Sequence, residues 1–194
     1  MGDEDLRETV VGSEILHHGR LGDYRIDTVR FNDGRQSTRE ILGHPGAVAI
    51  VALDPDDQVL LVRQWRNAAG RALLEIPAGT LDILDPVART IEDPELAAPR
   101  ELEEETGYRA ATWRKLAEFW TVPGFATELM HLYLATDLRP AQDDRLGPDE
   151  DERLELVRLP WPEAVAAVER GEISDAKSMV GLFWLARLKA SGQA

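Results

Sequence analysis

The sequence predicts an α+β fold, or a sandwich of helix, sheet and helix. Segments with the apolar or alternating pattern of strands occupy most of the chain between residues 14 and 159. Helix signals come only at intervals, after residues 93, 160 and 174. Strands and helices that do not alternate strictly are typical of these architectures.

Composition limits the partners and the compartment. The 194 residues carry a formal net charge of -14, which argues against a nucleic-acid backbone as partner. The chain has no cysteine, which excludes disulfides and fits a reducing cytoplasm. No apolar run reaches the roughly 18 residues of a membrane span, and the acidic start is unlike a signal peptide. We therefore expect a soluble, cytoplasmic protein with no nucleic-acid or membrane partner.

Residues 1–45 have the pattern of an antiparallel strand extension. Segments 14–18, 24–31 and 36–42 are strand-like, and Asn32-Asp33-Gly34 is a hairpin signal between the last two. A meander of this size does not stand alone. We expect it to pack on the rest of the chain and on a second copy, as a dimerisation arm for a main domain at residues 46–194.

The main domain begins with a buried hairpin. A continuous apolar run at residues 47–53 and a strand at 59–66 flank turn chemistry at 54–57. Further strand-like segments lie at residues 73–79, 113–121, 129–138 and 154–159. The Pro/Gly/Asp-rich segment between residues 139 and 152 is a loop of a length that is usually functional or disordered.

The stretch between residues 92 and 108 has clear helix boundary signals. Asp93 can accept hydrogen bonds from free backbone N–H groups, and Pro94 suits the first helical position. Gly107 can adopt the left-handed conformation that closes a last turn. Pro99 removes one backbone hydrogen bond, so we expect either a kink there or a helix that begins near it.

Three carboxylates converge on this predicted helix. Glu101 and Glu105 are four residues apart and share one face, with Glu104 beside them. A solvated acidic face is one interpretation, because runs of charge usually are solvated. Binding of a hard divalent cation is the other, because a cation relieves the repulsion between carboxylates, and Mg²⁺ is the ion we expect.

The spacing of these residues resembles the second half of the Nudix box, G-x5-E-x7-R-E-U-x-E-E-x-G-U, where U is apolar. The matching residues are Glu92, Arg100-Glu101-Leu102, Glu104-Glu105 and Gly107-Tyr108. The box glycine would be Gly79, but twelve residues separate it from Glu92, where the family has five. We interpret residues 81–91 as a loop with about seven extra residues, which costs little closure entropy.

Motifs outside the box are similar to those of the ADP-ribose pyrophosphatase branch of the Nudix hydrolases. They are Arg39-Glu40, His44-Pro-Gly-Ala-Val-Ala, Val62-Arg-Gln-Trp-Arg66, Glu75-Ile-Pro-Ala-Gly-Thr-Leu-Asp82, Val122-Pro-Gly-Phe-Ala-Thr-Glu128 and Gly171-Glu-Ile-Ser-Asp-Ala-Lys177. The resemblance implies a Nudix fold, an α/β/α sandwich around a mixed sheet, with N-terminal strands that embrace a partner in a homodimer. It implies Mg²⁺-dependent hydrolysis of ADP-ribose to AMP and ribose 5-phosphate, with Mn²⁺ or Zn²⁺ as alternative cofactors.

The resemblance also implies roles for the box residues. Glu101 and Glu105 would bind Mg²⁺, and Glu104 would help through a further ion or its water. The Ala78 carbonyl would be an additional ligand. Arg100 would orient the carboxylates, because its guanidinium suits bidentate ion pairs.

The remaining implied site residues lie outside the box. Four acids stand in a row at residues 149–152. Among them the resemblance implies Glu150 as general base and Glu152 as a further metal ligand. The implied substrate contacts are Arg39, Arg66 and Glu128, some of which would reach across the dimer.

Two other functions stay open at this point. The substrate could be another nucleoside diphosphate derivative, such as a GDP-sugar or a dinucleotide. The chain could also be a non-catalytic Nudix module that senses a nucleotide sugar, as happens when box acids are lost. All the box acids are present, which favours an enzyme.

Overall fold

The computed structural model describes residues 2, 6–85, 88, 90–142, 146–147 and 153–193. The chain divides into two compact units. The N-terminal unit consists of residues 1–46 and 120–129, and the main unit consists of residues 47–119 and 130–194. Segment 120–129 lies between two predicted strands of the main domain, so its place in the N-terminal unit is not visible in the sequence pattern.

An antiparallel three-stranded sheet forms most of the N-terminal unit. Its strands, in spatial order, are β1 (Thr9–Gly19), β2 (Gly22–Arg30) and β3 (Gln36–Leu42). The predicted turn joins β2 to β3: the Phe31 amide donates to the Arg35 carbonyl at 2.9 Å, and Gly34 has a φ of 86°. β1 is longer than predicted and is exposed along its whole length.

Residues 120–129 join this unit through backbone hydrogen bonds to the end of β3. The Leu42 amide donates to the Phe125 carbonyl at 2.7 Å, and the Thr127 amide donates to the Leu42 carbonyl at 3.1 Å. These bonds make a parallel bridge between Leu42 and Ala126. The segment is therefore held by long-range pairing.

A mixed sheet forms the centre of the main unit. Its path runs in the order β10 (Tyr108–Trp120), β11 (Leu129–Pro140), β4 (Ala47–Leu53), β5 (Gln58–Arg66) and β12 (Glu155–Pro160). Two short strands join this path: β6 (Arg71–Glu75) pairs with β5, and β7 (Ala78–Thr80) pairs with β4. β11 and β4 are parallel, whereas β5 is antiparallel to both β4 and β12. The predicted mixed sheet is confirmed.

The extra residues between Gly79 and Glu92 contain a small hairpin of their own. It pairs β8 (Ile83–Asp85) with β9 (Thr90–Ile91). The Glu92 amide donates to the Asp82 carbonyl at 2.9 Å, and the Asp82 amide donates to the Glu92 carboxylate at 3.2 Å. These two bonds close the neck of the insertion just before the next helix begins.

In the part of the main unit that the structure describes, three α-helices cover the two faces of the sheet: α1 (Pro94–Thr106), α2 (Trp161–Glu169) and α3 (Ala176–Ala190). β4 is buried along its whole length, and its side chains alternate between two cores. Val48 and Ile50 share one core with α1, whereas Ala49 and Val51 share the other with α2 and α3. The main unit is therefore the predicted α/β/α sandwich. None of the described helices has the length and apolar character that crossing a bilayer requires.

Candidate active site

Helix α1 has the boundaries that the sequence predicts. The Asp93 carboxylate accepts a hydrogen bond from the Glu95 amide at 2.9 Å, and Pro94 is the first helical residue. Gly107 adopts a φ of 73°, and its amide donates to the Glu103 carbonyl at 2.8 Å. The helix runs through Pro99, so the predicted alternative of a helix that begins near Pro99 is wrong. Buried Ala97, Ala98 and Leu102 fix the helix on the sheet.

Arg100 gathers three carboxylates around one guanidinium. Its Nη2 and Nε donate to Glu92 at 2.7 and 3.1 Å, and its Nη1 lies 2.8 Å from Glu104 and 2.9 Å from Glu101. The hydrogen bond from Arg100 lowers the pKa of Glu92, and the same bond is the main cause of a raised Arg100 pKa. One cation among three anions leaves this cluster formally negative.

Glu101 lies against the backbone of Gly79. A Cβ built on Gly79 would lie 1.9 Å from the Glu101 carboxyl carbon and 2.1 Å from Oε1, which is far inside contact distance. Only a residue without a side chain allows this approach. The structure thus gives a physical reason for a glycine at position 79, although twelve residues separate it from Glu92.

Glu105 is the most deeply placed of the three predicted ligands. The residue is 6% exposed, and its carboxylate accepts a hydrogen bond from the Ala78 amide at 2.9 Å. Ala78 lies on β7, opposite Ala49 of the buried strand β4. Ala78, Glu101 and Glu105 therefore meet where β7 faces α1. The predicted contribution of Ala78 was its carbonyl, whereas the contact seen here uses its amide.

The carboxylates of this cluster suit a hard divalent cation. Glu101 and Glu104 are each less than a quarter exposed, and carboxylate oxygens are the ligands that Mg²⁺ prefers. Within the described ranges, no three acidic or histidine side chains already converge to coordination distance. Arg100 explains this arrangement, because its Nη1 lies between Glu101 and Glu104. A bound ion would compete with Arg100 for these oxygens. Glu101 would stay beside the backbone of Gly79, where no side chain displaces it.

Arg66 belongs to a second ion cluster, at the end of β5. Its Nε and Nη2 donate to Glu75 at 2.8 and 2.7 Å, and Lys177 also donates to Glu75. Glu75 is 1% exposed. Burial acts to raise the Glu75 pKa, but the hydrogen bonds and charges of Arg66 and Lys177 outweigh it and lower the pKa. The hydrogen bond to Glu75 raises the Arg66 pKa, and Glu105 adds to this effect.

The other predicted substrate contacts lie in the N-terminal unit. Arg39 of β3 donates from Nε to Glu8 at 3.0 Å, and its guanidinium lies 5.7 Å from the centre of the Phe31 ring. Glu128 accepts a hydrogen bond from Thr121 and lies 3.7 Å from His44 Nε2. Burial lowers the pKa of His44, and the charge of Glu128 acts in the opposite direction.

Glu150 and Glu152 lie outside the described residues, so the proposed base and the further metal ligand have no structural placement. A described part of the same loop, at Leu146, is hydrogen-bonded to α1. The Leu146 amide donates to Glu103 at 3.0 Å, and Arg109 donates to the same carboxylate at 2.6 and 2.8 Å.

Sequence reasoning missed Glu75, Glu103 and Lys177. Glu103 looked like part of a solvated acidic face, but it is 6% exposed and paired with Arg109. Glu75 and Lys177 belong to two of the motifs outside the Nudix box, but sequence reasoning assigned neither residue a role. The one available signal was Glu75 itself, because a charged residue between the apolar neighbours Leu74 and Ile76 requires a partner when buried.

Comparison with known proteins identifies the family of this chain. The NUDIX domain family matches residues 43–181. An ADP-ribose pyrophosphatase of Bacillus subtilis (strain 168) is 38% identical over 191 residues, which covers 98% of both chains. An ADP-ribose pyrophosphatase of Mycobacterium tuberculosis (strain ATCC 25618 / H37Rv) is 40% identical over 172 residues, which covers 89% of this chain and 80% of the relative.

Two further similarities concern related activities and the fold. A GDP-mannose pyrophosphatase of Citrobacter koseri (strain ATCC BAA-895 / CDC 4225-83 / SGSC4696) is 34% identical over 188 residues, which covers 91% of this chain and 94% of the relative. A crystal structure of an ADP compounds hydrolase has a TM-score of 0.79 and 26% identity, with 97% of each chain covered. The family match spans most of the chain and contains the whole Arg100 cluster, and this chain belongs to the Nudix hydrolase family.

Proposed function

We propose that this protein hydrolyses the diphosphate of ADP-ribose to AMP and ribose 5-phosphate, with Mg²⁺ as its cofactor. The observation that carries the proposal is the set of carboxylates around Arg100: Glu92 just before α1, and Glu101 and Glu104 on it, with Glu101 against Gly79. The names of the Bacillus subtilis and Mycobacterium tuberculosis relatives support ADP-ribose as the substrate.

The proposed metal site consists of Glu101, Glu104 and Glu105, with the Ala78 carbonyl and Glu152 as further ligands. When bound, Mg²⁺ supplies neutralisation of the diphosphate charge and activation of water. Arg100 keeps the carboxylates oriented, and the Ala78 amide keeps Glu105 in place. These contacts set the geometry before the substrate arrives, which lowers the cost of reorganisation during the reaction.

Proton transfer in this proposal belongs to Glu150. A water attacks one phosphorus in line with the bridging oxygen, a new P–O bond forms, and the phosphoanhydride bond breaks. Glu150 takes the proton of that water as general base. Arg66 binds the diphosphate, and Arg39 and Glu128 are the other substrate contacts.

The quaternary structure and the compartment are also proposals. We propose a homodimer that forms through the strands of residues 1–45. The full exposure of β1 supports it, since Val10, Val11, Ile15 and Leu16 are all more than 40% exposed in the single chain. The cytoplasmic location and the lack of nucleic-acid and membrane partners stay predictions from composition.

A second candidate substrate is another nucleoside diphosphate derivative. The name of the Citrobacter koseri relative favours a GDP-sugar within this group. The non-catalytic module has less support, because the box acids are present and Arg100 holds three of them together.

The test is a substrate panel with purified protein and Mg²⁺. ADP-ribose, GDP-mannose and a dinucleotide are compared by chromatography of the products. We expect AMP and ribose 5-phosphate from ADP-ribose, with kcat/KM at least tenfold above the other two, a margin of about 1.4 kcal/mol. A preference for GDP-mannose would move the function to the second candidate. Binding of a nucleotide sugar without formation of any product would support the non-catalytic sensing module.

A further inference from the structure

The first turn of α3 holds the chain segment that borders the active site. Asp175 caps this helix: its Oδ2 accepts hydrogen bonds from the Ser178 amide at 3.1 Å and from Lys177 Nζ at 3.0 Å. Ser178 is fully buried, and its hydroxyl accepts a hydrogen bond from the Ile76 amide at 2.8 Å. Asp175 and Lys177 belong to a sequence motif to which the proposed function gives no role.

The segment from Glu75 to Gly79 connects α3 with both ion clusters. Towards α3, Glu75 binds Lys177, and the Ile76 amide binds Ser178. Towards the active site, Glu75 binds Arg66, the Ala78 amide binds Glu105, and Gly79 abuts Glu101. A change at the start of α3 therefore reaches Arg66 through a single intervening side chain, Glu75.

We propose that Lys177 is a positioning residue that sets the charge and orientation of Arg66 through Glu75, and thereby the affinity for the substrate diphosphate. This proposal rests on the proposed function, in which Arg66 contacts the diphosphate. Glu75 is shared by Arg66 and Lys177, and Asp175 also pairs with Lys177, so the four side chains together carry a formal charge of zero. Without Lys177, Arg66 would stand beside two carboxylates and the sum would be -1.

The position of Arg66 allows the charge around it to affect phosphate binding. Glu75 uses the Nε and Nη2 edge of the guanidinium, and no described residue bonds to Nη1. The Arg66 side chain is 41% exposed, so an incoming phosphate can reach it. Phosphate binding by Arg depends on charge as well as on donor geometry. Lys177 therefore acts on binding without touching the substrate.

The competing explanation is a purely structural ion pair. Lys177 side-chain exposure is only 12%, so its loss could simply destabilise the fold. Lys189 provides a matched control on the same helix, because its side chain is 16% exposed and also pairs with an aspartate, Asp57. A structural role would make the two lysines behave alike.

The experiment measures ADP-ribose binding by calorimetry with EDTA, where no metal is present, and KM and kcat with Mg²⁺. We expect Lys177→Gln to raise both Kd and KM about tenfold, within the coupling range of contacting residues, with kcat nearly unchanged. Lys177→Arg should restore binding, and Lys189→Gln should leave Kd and KM unchanged. Arg66→Met should raise Kd by itself, and adding Lys177→Gln to it should cause little further loss.

A second variant tests the opposite sign. Asp175→Asn keeps a good helix cap but removes a negative charge beside Lys177, so we expect a Kd equal to or below that of the parent. If Lys177→Gln folds and leaves Kd and KM unchanged, or if its effect adds fully to that of Arg66→Met, the proposal fails. A weaker-binding Asp175→Asn protein that is as stable as the parent would also overturn it. Failure of the proposed function has a different signature, because the parental protein itself would not cleave ADP-ribose.

Discussion

Two ion clusters adjoin the segment from Glu75 to Gly79, and they differ in the ratio of cations to carboxylates. In the Arg100 cluster, one guanidinium meets three carboxylates. In the Glu75 cluster, two cations, Arg66 and Lys177, balance the carboxylates of Glu75 and Asp175. The first cluster is formally negative and suits a cation, whereas the second is formally neutral and leaves the guanidinium of Arg66 partly exposed to an anion.

The difference shows how an acidic protein can bind an acidic substrate. The chain as a whole carries a charge of -14, which repels a diphosphate at long range. At short range, the cations and carboxylates within each cluster decide which ion binds, because charges beyond about 8 Å are largely screened at physiological ionic strength. The comparison predicts that damage to the Arg100 cluster lowers kcat and metal affinity, whereas damage to the Glu75 cluster raises KM.

The largest effect should come from Glu105→Gln. This change keeps the size of the side chain but removes the charge of a proposed metal ligand. We expect kcat to fall on the order of a hundredfold or more, because mutation of residues that only support metal ligands already costs about 10–100-fold in metal affinity or activity. The measurement is ADP-ribose turnover with Mg²⁺, with circular dichroism to verify folding. Glu169→Gln on the exposed part of α2 is the control. Parental activity in Glu105→Gln would remove Glu105 from the metal site.

Gly79→Ala should separate activity from stability. The new Cβ would collide with the end of the Glu101 side chain, which can swing aside at little cost to folding but then leaves its place. We expect about tenfold weaker Mg²⁺ activation with a nearly unchanged Tm. The measurement is activity against Mg²⁺ concentration, together with a melting curve.

Gly12→Ala is the matched control for Gly79→Ala, because its Cβ would meet Thr28 at an ordinary 3.8 Å. Equal Mg²⁺ dependence in the two alanine variants would mean that the Glu101 position is unimportant, and the Arg100 cluster would lose its assigned role.

Glu92→Gln should show the pH dependence of the Arg100 cluster. The hydrogen bond from Arg100 holds the Glu92 pKa below its ordinary value in the folded state. The stabilisation is therefore present above the ordinary pKa of about 4.3 and is lost as the pH falls through the lower folded pKa. We expect a Tm about 2 °C below the parent at pH 7, as for a partly exposed ion pair, and convergence of the two Tm values in acid.

Glu172→Gln is the control for this pH series, since Glu172 pairs with Arg170 at a more exposed position. A constant Tm difference between Glu92→Gln and the parent from pH 7 down to acid would show that ionisation of Glu92 does not stabilise the fold.

The smallest effect should come from removing the β8–β9 hairpin. Replacing residues 83–91 with two glycines restores the family spacing between Gly79 and Glu92, and the Asp82 carbonyl still meets the Glu92 amide. We expect kcat/KM within about threefold of the parent, because long and short loops differ little in closure entropy. A large loss in kcat would mean that residues of the insertion contribute to the reaction together with the Arg100 cluster.

Local signals predicted much of this molecule. Asp93, Pro94 and Gly107 gave the ends of α1, and the order of strand-like segments and helix signals gave the layers. Residues that meet only through folding were not predictable, as Glu75 and Lys177 show, since 102 positions separate them. The bridge of Leu42 to Ala126 has the same cause. A pattern in one stretch of chain contains no information about its distant partner.

Strand β7 has only three residues, yet it pairs with β4, whose seven residues are all buried. The Ala78 amide that binds Glu105 and the Gly79 backbone that borders Glu101 are therefore both attached to the least accessible strand of the main unit. Thermal motion that loosens the exposed edges first would leave the distance between these two acids nearly constant, because their reference frame is the innermost layer of the protein.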